Sequence, residues 1–315
     1  MSLVGEVFMV DVIIPVYNAY NYIGETLDSI FKQTYRNNIK VYIVDDCSEE
    51  KNLDILKEYN DKLDITILEL EKNRGPGFCR QYGMKHSNSK YILFIDSDDY
   101  FLDNDGIEKM VLSMEENNYD TLSAIFTEDC YGEKNSYYVG YDTVHAKIYR
   151  RKFLEEKNIC FPFYYNSEDV SFNNLVILST DNIGKIDSNI YLYRRRKKSL
   201  TDYSNYDDDK HISFYCKNLL FVIQWAENNK IDKKRLSMLL RNSYCYFMWH
   251  FNNEVSMDNK SIHYIFDLFP YYDKYQNYYD DTVGNVWLKY WVNVIDSSYS
   301  KDEFLKFIDF CKSSS

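Results

Sequence analysis

The chain has 315 residues, of which 45% are apolar and 27% charged, so disorder is excluded and a core can form without disulfide staples. At roughly 150 residues per domain the length predicts about two domains. Ten glycines and four prolines rule out collagen-like or low-complexity sequence, and a formal charge of −12 opposes phosphate backbones, so nucleic acid is not an expected partner.

Seven cysteines without a C-x-x-C pair predict neither a disulfide framework nor a zinc site, and they suit a reducing compartment. No apolar run approaches the roughly 18 residues of a membrane span, and no signal-peptide pattern opens the sequence. A cytoplasmic location is therefore expected. The 32 tyrosines have two readings: a surface on which sugar C–H faces stack, or a composition bias shared with the abundant Asn, Lys and Ile.

In chain order, residues 8–14 form a β-branched run that Pro15 should end. Residues 21–33 carry Ile23, Leu27, Ile30 and Phe31 on one helical face. Residues 41–44 predict a buried strand closed by Asp45-Asp46, and Leu53, Leu56 and Tyr59 mark a helix. A strand over 65–70 leads to the turn Asn73-Arg74-Gly75-Pro76-Gly77, with Pro76 at the first position of the next helix. A strand over 91–95 runs into Asp96-Ser97-Asp98-Asp99, and Ile107, Met110, Val111 and Met114 repeat at helical spacing. This alternation predicts an α/β domain with a mostly parallel sheet covered on both faces.

From about Ser123 the pattern loosens into shorter strands and loops. Residues 148–156 read as strand into helix, 167–178 as a helix with Glu168 and Asp169 in its first turn, and 186–193 as a strand entering the basic run 194–198. After about residue 205 long helical faces take over: Phe214, Leu219, Phe221, Val222 and Trp225, then 236–249, then Val286, Trp287, Tyr290, Trp291 and Val294. The expected domains are 1–204 and a helical 205–315, whose apolar faces offer a route to oligomerisation.

In open parallel sheets ligands bind beyond the carboxyl ends of the strands. Four special loops fall there: Pro15-Val16-Tyr17-Asn18, Asp45-Asp46, residues 73–77 and residues 96–99. Strand-end loops are commonly polar, which accounts for any one of these but poorly for the set. The acidic cluster after a wholly apolar strand suits a hard cation, Mn²⁺ or Mg²⁺, that leaves positions for substrate phosphates; an ordinary acidic turn is the plainer alternative. Neither a G-x-G-x-x-G nor a G-x-x-x-x-G-K-[ST] motif is present.

Together these motifs resemble glycosyltransferase family 2, the inverting nucleotide-sugar transferases of GT-A fold. The resemblance rests on Ile13 through Asn18, Val44 through Ser48, Asn73 through Gly77 with Arg80, and Asp96 through Asp99. It continues in Lys147 through Arg151, Glu168-Asp169, and Tyr193-Arg194 followed by Ser199-Leu200-Thr201, covering about residues 8–201. It implies a Rossmann-like GT-A domain, a nucleotide-sugar donor, a UDP-sugar by expectation, and a saccharide or glycolipid acceptor.

By the same resemblance Pro15 and Tyr17 line the nucleotide site, with Tyr17 stacked on uracil and Asp46 accepting from the base N–H. Arg80 faces the nucleotide or, equally, is a surface arginine. Asp98 holds the metal, and Asp96 contacts the ribose or a metal-bound water; Asp99 can be merely solvated. Asp169 is the base that deprotonates the acceptor, and Glu168 an acceptor or orienting contact. The plainer reading of this pair is Asn166 as N-cap, with acids in the first turn favoured by the macrodipole.

Arg194 and Arg196 are either a solvated strand end or a lid over the diphosphate. His145 is a structural histidine or a phosphate or acceptor contact. Peripheral contact with the inner membrane face accompanies the glycolipid reading. A non-catalytic sugar- or nucleotide-binding protein and a sugar nucleotidyltransferase are the alternatives. The first is disfavoured by the presence of Asp98 and Asp169, the second by the lack of a Gly-rich basic loop after the first strand.

Overall fold

The computed structural model describes residues 10–49, 51, 53–59, 61–138, 143–162, 167–196, 208–252, 267–275 and 278. β1 (Val10–Val16) is buried along its whole length, and its Val and Ile residues supply both faces of the sheet. It runs past Pro15, which is tolerated because pairing with β4 stops at Ile13, leaving β2 alongside. α1 (Ile23–Phe31) turns its predicted face inward, with Ile23, Leu27 and Ile30 inaccessible to solvent. β2 (Ile39–Asp45), α2 (Leu53–Lys57) and β3 (Asp64–Glu69) follow.

α3 (Pro76–His86) begins at Pro76, as the turn sequence predicts, with Gly75 preceding it at φ 85°. A Cβ at Gly83 would lie 2.5 Å from Ile13 Cγ2, so only glycine lets α3 seat this closely on β1. β4 (Tyr91–Phe94), β5 (Tyr100–Phe101) and α4 (Gly106–Asn117) complete the first half.

β6 (Thr121–Cys130) and β7 (Glu133–Tyr138) form one hairpin where the sequence suggests only shorter strands and loops. The polar residues Ser123, Thr127, Glu128 and Asp129 mask it, because its outer part is not buried. Its two-residue turn, Tyr131 (φ 53°) and Gly132 (φ 100°), has the left-handed backbone that matches strand twist. β8 (Lys147–Arg150), α5 (Arg151–Glu156), α6 (Glu168–Ser179) and β9 (Ile183–Arg195) end the sheet region.

The sheet order is β3-β2-β1-β4-β8-β6-β9-β5, with β7 paired to β6. The β3-β2-β1-β4 portion is parallel; β8 enters antiparallel, and β6 and β9 run parallel to each other. β1 connects onward to one side and β4 lies on the other, which makes the carboxyl ends of β1 and β4 the switch point where α/β folds bind ligands.

Asp11, at the opposite end of β1, is fully buried. It accepts from the backbone N–H and hydroxyl of Ser89 at 2.7 and 2.6 Å and from Arg151 Nη2 at 2.8 Å. Asp11→Ala removes the buried carboxylate partner of Arg151, whose guanidinium keeps its bonds to the Ser89 and Met84 carbonyls and the Ser87 hydroxyl, so urea unfolding should show a loss of about 3 kcal/mol. Because this pair lies away from the switch point, ligand binding by the folded protein should persist.

The chain divides into two compact units, residues 1–176 with 180–204, and residues 177–179 with 205–315. The second unit contains α7 (Asp208–Asn228), α8 (Lys233–Asn252) and α9 (Phe269–Tyr275). Of the expected α7 face, Leu219, Val222 and Trp225 are buried, whereas Phe214 and Phe221 are half-buried. Glu227 accepts from Lys274 Nζ at 2.6 Å and Tyr275 OH at 2.7 Å, tying α9 to α7. The expected stripe of Trp287, Tyr290, Trp291 and Val294 lies outside the described residues, as do Ser199, Leu200 and Thr201. No described helix is long and apolar enough to cross a membrane.

Candidate active site

The acidic turn after β4 is held by α1 and by two residues of β9. The Thr26 hydroxyl of α1 lies 3.0 and 2.7 Å from the carbonyl oxygens of Ser97 and Asp99. Tyr191 OH of β9 donates to Asp99 Oδ2 at 2.6 Å and accepts from the Asp96 N–H at 3.3 Å. The Arg194 N–H donates to Asp99 Oδ1 at 2.8 Å. Asp99 is therefore buried and fastens the turn, correcting the expectation of a solvated side chain. Burial, then the charges of Asp98 and Asp96, push its carboxyl well above the usual range. This anchoring leaves Asp96, with its side chain 37% exposed, and the mostly buried Asp98 to face the site.

Arg80 is not a surface arginine. Its side chain is 4% exposed; Nη2 donates to Asp96 Oδ1 at 2.6 Å and Nη1 to Glu168 Oε1 at 2.7 Å. Burial opposes its charge, but Asp96, Glu168 and Asp169 outweigh that and raise its pKa. Glu168 is itself buried, and desolvation lifts its pKa against the pull of Arg80. A Cβ at Gly77 would stand 2.6 Å from Glu168 Cγ, so glycine in the first turn of α3 makes room for this carboxylate.

Ser167, at φ 60°, precedes α6 and makes no side-chain cap; Asn166, the expected cap, lies outside the described residues. Asp169 is half-buried, and its Oδ1 accepts from the Val170 N–H at 2.8 Å. Its backbone carbonyl accepts from Asn173 Nδ2 at 3.0 Å, and Asn173 Oδ1 accepts from Tyr149 OH at 2.9 Å.

At the end of β1, the Asp46 N–H donates to the Val16 carbonyl at 2.8 Å, which brings Asp46 beside the Pro15-Tyr17 segment. Asp46 is buried, and its two oxygens accept from the backbone N–H groups of Arg74 and Gly75 at 2.6 and 2.7 Å. Burial raises its pKa, and these two N–H bonds pull the other way. The carboxylate thus fixes the 73–77 turn and also accepts from the Cys79 thiol; of its four lone-pair positions one is left for a further donor. Tyr17, which follows the Val16 that bonds Asp46, is 45% exposed.

The basic strand end is engaged with acids. Arg194 Nη2 pairs with Glu25 Oε2 at 2.5 Å, and its guanidinium lies 5.8 and 5.4 Å from the Tyr22 and Tyr100 ring centres. Arg196 Nε pairs with Asp98 Oδ2, with its guanidinium 5.1 Å from the Tyr22 ring. His145 is buried, with ring centres of Tyr191 and Tyr193 at 5.1 and 5.3 Å in stacked orientation and Phe126 edge-on at 4.5 Å. Desolvation, then Lys147 and Arg80, lower its pKa well below the ordinary value, so it is a neutral packing group near pH 7.

One edge of the sheet therefore joins Asp96, Arg80 and Glu168 directly, Asp98 to Arg196, and Asp46 to the β1 terminus. Thr26, Tyr191, Tyr22 and Glu25 are supporting residues that the sequence reading misses. Thr26 lies within a helix and Tyr191 is one of 32 tyrosines, so neither carries a motif. No group of three or more His, Cys, Asp or Glu side chains able to hold a metal ion occurs among the described residues. Mg²⁺ and Mn²⁺ sites commonly use one or two carboxylates plus substrate phosphates. Asp98, an oxygen donor now matched by a cationic guanidinium, fits that pattern.

Poly(ribitol-phosphate) beta-N-acetylglucosaminyltransferase TarS of Staphylococcus aureus is 31% identical over 204 residues, covering 59% of this chain and 35% of TarS. The chain thus spans about a third of the length of that relative. The crystal structure of TarS 1-349 in complex with UDP-GlcNAc matches with a TM-score of 0.75 at 21% identity, over 98% of this chain and 93% of that one. The mannosyltransferase PcManGT from Pyrobaculum calidifontis, in complex with GDP-Man and Mn²⁺, matches with a TM-score of 0.53 at 16% identity, over 68% and 64% of the two chains. These likenesses identify the GT-A fold. Residues 11–167 match the Glycosyl transferase family 2 model, and with its motifs at the strand ends this chain belongs to glycosyltransferase family 2.

Proposed function

We propose that this chain transfers a hexosyl or N-acetylhexosaminyl group from a UDP-linked donor to a hydroxyl of a saccharide or polyol polymer, with inversion. The observation that carries this reading is Arg80 spanning Asp96 after β4 and Glu168 beside Asp169, which gathers donor-side and acceptor-side carboxylates at the switch point. The TarS relative, named as a poly(ribitol-phosphate) N-acetylglucosaminyltransferase, supports the sugar and acceptor class. A cytoplasmic setting follows from the donor, and the free thiols of Cys47, Cys79, Cys130 and Cys160 suit it.

In this reading Tyr17 stacks on the base, Asp46 accepts from its N–H, and Asp169 takes the proton of the acceptor hydroxyl. The acceptor oxygen bonds to the anomeric carbon from the face opposite the diphosphate, and the diphosphate leaves with the electron pair of the broken C–O bond. A divalent cation held by Asp98 and the phosphate oxygens would supply charge neutralisation for that leaving group. Arg194 and Arg196 exchange Glu25 and Asp98 for diphosphate oxygens and keep water from the donor.

The test is UDP release from UDP-GlcNAc with a ribitol-phosphate oligomer, alongside thermal shifts with UDP-, GDP- and dTDP-sugars. With Mn²⁺ present, of the three donor classes only UDP-sugars should stabilise the protein and turn over; a preference for GDP-sugars overturns the donor assignment. Tyr17→Ala should weaken UDP by about ten- to a hundredfold in calorimetry, since stacking on a base is worth about 1–3 kcal/mol. Unchanged affinity removes Tyr17 from the base site.

A further inference from the structure

We infer that the outer face of α3 is a docking track for a phosphodiester-linked polyol acceptor chain: Lys72, Arg74 and Lys85 hold its phosphates, and the Phe78 and Tyr82 rings lie along its carbons. The role rests on the transferase reading above and names what leads the acceptor hydroxyl toward Asp169. The chain has 49 acids, yet none falls between Glu71 and Asp96, a stretch in which Lys72, Arg74, Lys85 and His86 are exposed. Lys90 is paired with Glu115, but Lys72, Arg74 and Lys85 form no ion pair among the described residues. A cationic strip therefore lies on a protein of net charge −12, whose remaining surface repels a polyanion.

The strip is ordered in advance. Arg74, Phe78, Tyr82 and His86 recur every four residues and share one helix face, with Lys85 three positions past Tyr82 beside them. The Arg74 guanidinium lies 4.5 Å from the Phe78 ring centre, and the Phe78 and Tyr82 rings are 6.1 Å apart and within 16° of parallel. His86 follows at 4.2 Å from Tyr82, its Nδ1–H donating to the Tyr82 carbonyl at 2.8 Å. Both rings of the pair are half-buried, which leaves part of each at the surface. Contacts at this spacing steady a helix; that accounts for the rings but not for the missing acids. Arg74 is fixed twice, its backbone N–H on Asp46 at 2.6 Å and its guanidinium over Phe78. A planar fork held in place loses little freedom on binding a phosphate. Gly77, just before Phe78, is where α3 meets Glu168, the residue preceding the proposed base. From there to His86 the helix runs about 14 Å away from the site.

The experiment uses a long ribitol-phosphate oligomer and a single-repeat one as probes of the full chain. Wild type should bind the long oligomer without any donor, with affinity that falls as salt rises, and a neutral oligosaccharide should not compete. Arg74→Gln and Lys85→Glu should each weaken the long oligomer about tenfold, the cost of losing a bond to a charged group. In Lys85→Glu the KM for the long acceptor should rise by a similar factor, while turnover of the single-repeat acceptor and the affinity for UDP with Mn²⁺ stay at wild-type values. Wild type that ignores the long oligomer, or variants that bind it as wild type does, overturn the inference. If those variants instead lose binding to phosphatidylglycerol vesicles and keep the oligomer, the strip is a lipid-facing surface and the inference fails. Wild type that turns over no nucleotide sugar refutes the transferase reading alone, and donor-free binding of the oligomer still decides on α3.

Discussion

Asp169→Asn should leave UDP affinity within a fewfold of wild type and lower sugar transfer by about 10²–10⁴, the usual cost of losing a general base. The substitution isolates basicity. Asn has nearly the same size, and its Oδ1 can still accept from the Val170 N–H, as Asp169 Oδ1 does at 2.8 Å. The backbone carbonyl bond to Asn173 at 3.0 Å is untouched. The start of α6 therefore keeps its geometry, and loss of rate reports the missing proton acceptor. Glu168 is the competing candidate, but it is buried and already paired with Arg80, whereas Asp169 is half-buried. Donor hydrolysis should fall with transfer, because water needs the same base. Near-normal transfer by the Asn variant would return Asp169 to a plain first-turn acid and move the search to Glu168.

The parallel half of the fold was legible because its strands are short apolar runs and its helices keep a 3.6-residue period: Ile107, Met110, Val111 and Met114 are all buried, as their spacing predicts. Pro76 announced the start of α3 for a local reason, its fixed φ and missing N–H. The β6–β7 hairpin was not legible, because an exposed hairpin needs no apolar alternation and its Tyr131-Gly132 turn is a weak signal. β5, two residues long, depends wholly on its partner β9 and has no signature.

In the site, sequence identified the acids but not their partners within the protein. Asp96, Asp98 and Asp99 are adjacent and chemically alike, yet one binds Arg80, one pairs with Arg196 and one is sealed beneath Tyr191. That division is set by α1, α3 and β9, which arrive from distant sequence. Arg80 shows the same limit: a lone arginine on a helix reads equally as a nucleotide contact or as surface until the sheet brings Asp96 and Glu168 to either side of it.

The metal requirement gives the other large effect. A diphosphate approaching this edge meets Asp96, Asp98, Glu168 and Asp169, while Arg80 is buried and Arg196 is already held by Asp98. Two like charges about 4 Å apart cost about 4 kcal/mol at an effective dielectric of about 20, so UDP alone should bind poorly. With Mn²⁺ present, UDP at a hundred times its Kd should stabilise the protein by about 2.7 kcal/mol, read as a rise in Tm of several degrees. Chelation with EDTA should erase that rise in wild type, and Asp98→Asn should erase it with Mn²⁺ present. Asn keeps the shape of the side chain but loses the charge that a hard cation selects. The substitution also frees Arg196, so a small metal-independent response to UDP should appear in Asp98→Asn and vanish when Arg196→Ala is added. Equal stabilisation of wild type by UDP in Mn²⁺ and in EDTA would mean that the strand-end arginines alone neutralise the diphosphate, and Asp98 would then be their anchor and no metal ligand.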